Sequence, residues 1–290
     1  MKAMRTTRLA RDASAAALVA LLIGAPQASA DDFTLDGTQA QEYADCMTLA
    51  RRAPGDGYQS AMAWQLKGGA EPARHCAAVA LIGLGRNKEA ADQLEKLGTD
   101  MTKDRPDLAP ELFAQAGQAW TMAGDLQHAL TAETTGLKLA PDDVDLLVDR
   151  AVTQAGLSDY RKSIEDLDKA QGVAPDRADV LTYRASAWRF LNDLAKARAD
   201  ADAALKLDPK NPYALLERGN IRRLTSDPDG ARQDWTQVVA LAGGTPAGDA
   251  AAANLKKLAA TPTAPASAPP PPAAAPAAPP ATAPASGGSP

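Results

Sequence analysis

The sequence predicts an all-α protein, a solenoid of antiparallel helix hairpins. Three prolines, Pro141, Pro175 and Pro209, recur at intervals of 34 residues. A fixed period of this length is typical of stacked supersecondary units. Aromatic residues make up only 4% of the chain, and no run of alternating β-branched residues indicates a strand.

Two series of small residues keep the same period. One is Ala129, Ser163, Ala197 and Ala231, and the other, twelve residues earlier in each unit, is Gly117, Ala151, Ala185 and Gly219. Each series falls on one helix of the hairpin, so we expect the two to face each other where the helices cross. A large side chain at such a contact would overpack it and cost about 1–3 kcal/mol.

Residues 144–177 show how one hairpin is encoded. We expect a first helix over 144–156 and a second helix that ends near Val173, ahead of Pro175. Proline cannot continue a helix because it lacks the N–H and restricts the residue before it. Asp143, just before the unit, is suited to cap the first helix.

At these positions the chain resembles the tetratricopeptide repeat (TPR) family. The matching residues in 110–143 are Gly117, Trp120, Gly124, Asp125, Ala129 and Pro141, and those in 178–211 are Ala185, Trp188, Ala197, Leu205 and Pro209. The resemblance covers the four units 110–143, 144–177, 178–211 and 212–245, with a capping helix over 246–259. It implies a right-handed superhelix whose concave face is lined by the first helix of each unit.

The N-terminal part of the body follows the pattern less well. Residues 71–104 keep Gly85, Ala90 and Leu94, but five extra residues precede the next unit. Residues 38–67 resemble one more helix pair. The predicted organisation is therefore a leader over 1–30, degenerate hairpins over 31–104, a TPR array over 105–259 and a tail over 260–290.

Residues 1–30 read as a secretory signal peptide. Four basic residues precede an alanine-rich apolar stretch of about eleven residues, and Ala28-Ser29-Ala30 supplies the cleavage pattern. The stretch is shorter than the roughly 20 residues that span a bilayer, although a retained anchor is the alternative. We expect an exported protein, periplasmic in a bacterium or secreted, without stable membrane insertion after cleavage.

The tail has a different composition. Residues 261–290 contain 11 of the 22 prolines and no charged residue. Such a segment is predicted to be disordered with local polyproline II structure. It is a solvated tail, or a spacer or handle for a partner that recognises proline.

Charge argues against nucleic acid as a partner. Residues 1–30 carry a net charge of +3, so their removal changes the formal charge from −5 to −8. Phosphate binding needs a basic stripe, which an acidic exported protein does not offer.

Two cysteines and two histidines are the main candidates for special chemistry. Cys46 and Cys76 fall on the first helices of consecutive hairpins, and an even count in an exported protein predicts a disulfide. A redox-active pair is the alternative, but the spacing is unlike Cys-x-x-Cys. His75 and His128 complete no zinc pattern.

No motif predicts an enzyme. The sequence contains no nucleophile elbow, phosphate loop or dinucleotide fingerprint. The acidic cluster at Asp142, Asp143, Asp145 and Asp149 lacks the spacing of a calcium loop. We expect no catalytic residue, no cofactor and no bound metal.

A third periodic pattern joins charges across the hairpin. Arginine and aspartate recur 16 residues apart in three units, as Arg150 and Asp166, Arg184 and Asp200, and Arg218 and Asp234. On antiparallel helices these are predicted to form repeated, bidentate ion pairs. A basic ladder for an acidic ligand is the alternative.

The resemblance also implies which side chains line the groove. They are Gln115, Gln118, Asp145, Asp149, Tyr183, Ser186, Arg189, Phe190, Tyr213, Glu217, Asn220 and Arg223. Some are expected to pack between neighbouring units instead. The lysines by which some family members clamp chaperone C-termini are missing, and only Asn220 fits that pattern.

Two functions are consistent with these features. The first is a periplasmic adaptor that holds a peptide or client protein in its groove, in envelope assembly or secretion. The second is a structural or cell-wall-associated protein that uses the Pro/Ala-rich tail as a spacer.

Overall fold

The computed structural model describes residue 33 and residues 35–260, and the leader over 1–30 and residues 261–290 of the tail lie outside them. The described part contains thirteen helices and no strand. They are α1 Gly37–Arg52, α2 Pro54–Leu66, α3 Ala70–Gly83, α4 Asn87–Asp104, α5 Ala109–Met122, α6 Leu126–Leu139, α7 Val144–Gly156, α8 Tyr160–Val173, α9 Ala178–Phe190, α10 Leu194–Leu207, α11 Pro212–Leu224, α12 Pro228–Ala242 and α13 Pro246–Ala260. The predicted all-α class is confirmed.

The helices stack in chain order. Each helix packs against the next one, and the first helices of the units also touch, α5 with α7, α7 with α9, α9 with α11 and α11 with α13. An array in which each element contacts only near neighbours is a solenoid. The first helices therefore form one continuous face. No helix in residues 35–260 is long and apolar enough to cross a membrane.

A repeated aspartate starts the second helix of each unit. The backbone N–H three residues on donates to this carboxylate at 3.2 Å for Asp125, 3.5 Å for Asp159, 3.2 Å for Asp193 and 2.9 Å for Asp227. The residue before it has a positive φ, for example +67° at Ser158, which ends the first helix. Each cap contributes about 1 kcal/mol. Arg86 takes this place in the preceding hairpin and makes no side-chain cap, so that turn lacks the contribution.

The two small series are buried, but their contacts differ from the expected ones. A Cβ built on Gly117 would lie 2.7 Å from Cγ of Glu133, and one on Gly219 would lie 2.5 Å from Nε1 of Trp235. Each glycine of the first helix therefore faces a large side chain of the second helix. That side chain lies four positions after the small residue of its own helix, Ala129 or Ala231. The small residues make room for a side chain that inserts between the helices.

The arginine–aspartate pairs are present in all three units. Arg184 donates through Nε and Nη2 to both carboxylate oxygens of Asp200, at 2.8 Å each, and through Nη1 to Asp168 at 2.9 Å. Asp168 lies on α8, in the preceding unit. Arg218 likewise bonds Asp234 and reaches Asp202 of the preceding unit. The arginines thus join both helices of one hairpin to the hairpin before it.

The predicted disulfide is also present. Cys46 on α1 and Cys76 on α3 are bonded, with their Cα atoms 6.2 Å apart. The bridge closes a loop of 30 residues, and closure of such a loop stabilises a fold by about 3–4 kcal/mol in the chain-entropy description. It ties down the end of the array that has the weaker repeat pattern.

Candidate functional site

The twelve predicted groove residues all lie on the first helices α5, α7, α9 and α11. Half of them are buried, namely Gln115, Asp149, Tyr183, Ser186, Glu217 and Asn220. Gln118, Asp145, Arg189, Phe190 and Tyr213 are half-buried, and Arg223 is exposed. The set therefore divides into contacts within the array and side chains that reach solvent.

Several members of the set join neighbouring units. Gln118 Nε2 on α5 donates to Asp149 Oδ2 on α7 at 3.0 Å. Arg189 on α9 forms an ion pair with Glu217 on α11. Asn220 Oδ1 on α11 accepts from Asn254 Nδ2 on α13 at 3.0 Å. These contacts bridge the first helices of neighbouring units.

Gln115 belongs to a buried chain of hydrogen bonds that leaves the face altogether. Its Nε2 donates to Glu111 at 2.9 Å, so its oxygen accepts from Nε2 of His75 at 2.8 Å. The hydroxyl of Tyr43 lies 2.7 Å from Nδ1 of His75, within hydrogen-bonding distance, and completes the chain. The partners are 32 and 40 residues apart, and no local motif pointed to them.

Two half-buried aromatic rings, on α8 and α9, stack against each other. The rings of Tyr160 and Phe190 stack with centroids 4.7 Å apart and planes 3° from parallel. The guanidinium of Arg189 lies 4.3 Å from the centre of the Phe190 ring, within range of a cation–π contact.

A small cavity opens beside these rings. Its volume is about 20 Å³, and its walls include Val152, Ala155, Gly156, Tyr183, Ser186 and Phe190. Gly156 occupies the place that Met122, Phe190 and Leu224 fill in the other units, 34 or 68 residues away. The cavity therefore exists where one unit departs from the repeat.

Two buried carboxyl groups on or near the same face have a raised pKa. Burial raises the pKa of Asp149 to about 7, with added repulsion from Asp145, Glu111 and Asp143 against the stabilising bond from Gln118. Burial also raises the pKa of the Glu133 carboxyl well above its usual range, and the charge of Asp149 adds to this. For both groups, binding a proton or a nearby cation lowers the cost of burying a negative charge.

Two larger cavities flank the N-terminal hairpins and share Trp64. One of about 270 Å³ also includes Phe33 and Met101, and one of about 250 Å³ includes Glu42 and Lys67. Neither touches a predicted groove residue. Across residues 35–260, no three His, Cys, Asp or Glu side chains are grouped to hold a metal ion.

No protein-family model and no curated protein matches the sequence. Solved structures do match the fold. One is a thermophilic TPR protein of Thermus thermophilus, with TM-score 0.53 and 18% identity over 66% of this chain and 99% of that one. The chain has the fold of a TPR solenoid. A second match is MamA, residue 41 to the end, of Desulfovibrio magneticus RS-1, with TM-score 0.51 and 22% identity over 59% of this chain and 94% of that one.

The TPR resemblance seen in the sequence thus extends to the three-dimensional arrangement. The first helices α5, α7, α9 and α11 begin at Ala109, Val144, Ala178 and Pro212, and they lie side by side.

Proposed function

We propose that the protein is a non-enzymatic scaffold that holds a segment of another polypeptide against the first-helix face of its TPR array. The supporting observation is that this face is continuous over five helices and carries Phe190, Tyr213 and Arg223 within reach of solvent. Aromatic side chains and arginine are the types that most often anchor a bound protein. The Arg–Asp pairs that hold the hairpins together contact the second helices and involve none of these three side chains.

The proposal places this scaffold outside the cytoplasm, most simply in a bacterial periplasm, with a role in envelope assembly or secretion. Support comes from the leader sequence and from the disulfide between Cys46 and Cys76. Disulfides persist in oxidising compartments and are rare in the cytosol.

In-cell photo-crosslinking tests the adaptor function. A photoreactive residue replaces Arg223 on the face or, as a control, the exposed Ala195 on α10. We expect a discrete partner from position 223 and none from position 195. The partner should be lost when Phe190 and Tyr213 are both changed to Ala. Equal capture from both positions would contradict the proposal.

The second candidate, a structural or cell-wall-associated protein, is favoured by the uncharged Pro/Ala-rich tail. A chain lacking residues 261–290 separates the two. An adaptor keeps its crosslinks from position 223 without the tail. A tethered spacer loses its attachment to the cell envelope, while Phe190→Ala/Tyr213→Ala has no effect on that attachment.

A further inference from the structure

The carboxylate of Asp149 lacks a charged partner. Its side chain is more than nine-tenths buried; Oδ2 accepts the bond from Gln118, and Oδ1 accepts none from the described residues. A buried carboxylate with a single neutral donor is costly to ionise. A cation from outside would supply the missing partner.

The surroundings of Asp149 add to this preference for a cation. Glu111, Asp143 and Asp145 all lie near enough to repel it. The guanidinium of Arg177 donates to Asp145 and Asp179 and makes no bond to Asp149. The edge of the face near the start of α7 therefore carries an excess of negative charge, which favours a positively charged partner.

The apolar cavity begins one turn further along α7. Val152 and Ala155 form part of its wall, and Ser186 contributes a hydroxyl that is buried without a hydrogen-bond partner. Most of the lining is carbon, so the tip of one apolar side chain suits the cavity better than a polar group. Tyr183 lies between the acidic part of the site at Asp149 and the apolar cavity. Its ring lines the cavity, and its hydroxyl interacts electrostatically with Asp179 and Asp149.

The spacing of the two parts sets the spacing of a ligand. Gly156 lines the cavity and lies seven residues beyond Asp149, almost two full turns, so the two positions share one side of α7 and are about 10.5 Å apart along its axis. An extended peptide covers this distance in about three residues, at roughly 3.3 Å per residue.

From this juxtaposition we propose that the face between α7 and α9 binds an extended peptide whose Lys or Arg side chain meets Asp149 and whose apolar side chain, three residues away, enters the cavity beside Ala155. The inference rests on the scaffold function proposed above and gives the partner its chemistry.

Fluorescence anisotropy with synthetic probes on the full chain tests the proposal. The probes are fluorescein-labelled decapeptides with a central Lys-Ala-Ala-Leu, Glu-Ala-Ala-Leu or Lys-Ala-Ala-Ser in a Gly/Ser background, each also made in reversed order. We expect a Lys/Leu probe to bind at least about tenfold more tightly than the Glu and Ser probes. Equal affinity for the Lys and Glu probes would overturn the assignment.

Matched variants locate the binding. Asp149→Asn and Ala155→Leu should each weaken the Lys/Leu probe by about tenfold. Asp92→Asn on α4 and Ala195→Leu on α10, both at exposed positions, should leave it unchanged. Thermal melts of all four variants confirm that the fold is kept, and Asp149→Asn removes a buried charge and therefore has no reason to unfold the array.

A phage-displayed library of random dodecapeptides, panned on the full chain, separates this inference from the scaffold function. Enrichment of peptides with a basic and an apolar residue three positions apart supports both. Enriched peptides without a basic residue, whose capture is lost when Phe190→Ala/Tyr213→Ala is the panning target, would overturn the inference alone. Failure to enrich any peptide, together with no binding of the synthetic probes, would overturn both.

Discussion

Asp149 shows how one buried residue links stability to pH. Its pKa in the folded protein is about 7, above the ordinary value of 3.8, so the folded state binds the proton more tightly than the unfolded chain does. Its contribution to stability is therefore greatest below pH 4 and is lost as the pH rises to 7.

Asp149→Asn should consequently leave the free energy of unfolding unchanged near pH 4 and raise it progressively up to pH 7. The gain over wild type grows by as much as about 1.4 kcal/mol per pH unit. Urea denaturation at pH 4, 5.5 and 7 measures it. A difference between variant and wild type that does not vary with pH would show that the carboxyl titrates normally in the fold.

Two glycines on helices offer a matched test of close packing. A Cβ at Gly219 would lie 2.5 Å from the buried ring of Trp235, whereas one at Gly172 meets nothing within 4 Å. Gly219→Ala should lower the melting temperature because overpacking costs about 1–3 kcal/mol. Gly172→Ala should raise it slightly, since Ala is the better helix former by about 1 kcal/mol. Equal shifts in calorimetry would mean that α11 and α12 are less closely packed than the structure shows.

The same residues show what could be predicted from the sequence. Gly117 and Gly219 were predicted to be buried, because a position that recurs with the repeat has the same neighbours in every unit. The contacts of these glycines with Glu133 and Trp235 were not predicted, because the inserted side chain differs between units. The bonds of His75 to Tyr43 and Gln115 also escaped prediction, since they occur once and join distant hairpins.

At the scale of the helix pair, the arginine–aspartate bonds hold the hairpins in register. Side-chain exposure is 18% for Arg184 and 12% for Asp200, but 58% for Lys196 and 37% for Asp193 in an exposed pair on the same hairpin. Partial burial and bidentate geometry strengthen the first pair, while solvent screens the second.

Double-mutant cycles with alanine compare the two pairs directly. We expect a coupling free energy of about 1–3 kcal/mol between Arg184 and Asp200, and less than about 0.5 kcal/mol between Lys196 and Asp193. Denaturant unfolding of the single and double variants gives both values. Similar coupling free energies for the two pairs would mean that the periodic pair has no special structural role. That result would favour the alternative, a ladder of arginines that binds an acidic ligand.

The N-terminal hairpins depend on a different element, the disulfide. Cys46→Ser/Cys76→Ser should reduce the stability of this end by about 3–4 kcal/mol, because the closed loop of 30 residues is lost. The turn before α4 also lacks the capping aspartate of the later units, so no cap offsets this loss there. Hydrogen exchange should then be faster in α1 and α3 and unchanged in α9 to α13, since each unit contacts only its neighbours. Uniformly faster exchange along the chain would show that the array unfolds as one block.

For the whole molecule, the repeat determines the fold and the departures from the repeat mark the candidate site. Positions that contact the neighbouring unit are constrained alike in every hairpin, which made the architecture predictable. Gly156 and Asp149 have no equivalent in the adjacent units, so the repeat pattern alone did not predict them. A cavity and an unpaired carboxylate at such positions are available for a partner, and only the folded arrangement shows that they lie together.

The export proposed for the molecule can be tested through its leader sequence and its disulfide. We expect the protein from its native host to begin at Asp31, after cleavage behind Ala28-Ser29-Ala30, and to carry a closed Cys46–Cys76 bridge. Intact mass spectrometry with and without reduction measures both at once.

A chain expressed without residues 2–30 stays in the reducing cytosol, so it should contain free thiols and melt at a lower temperature than the exported form. An exported fraction that retains residues 1–30 would instead support a membrane anchor. A bridge that closes equally well in the cytosol would separate the disulfide from the question of export.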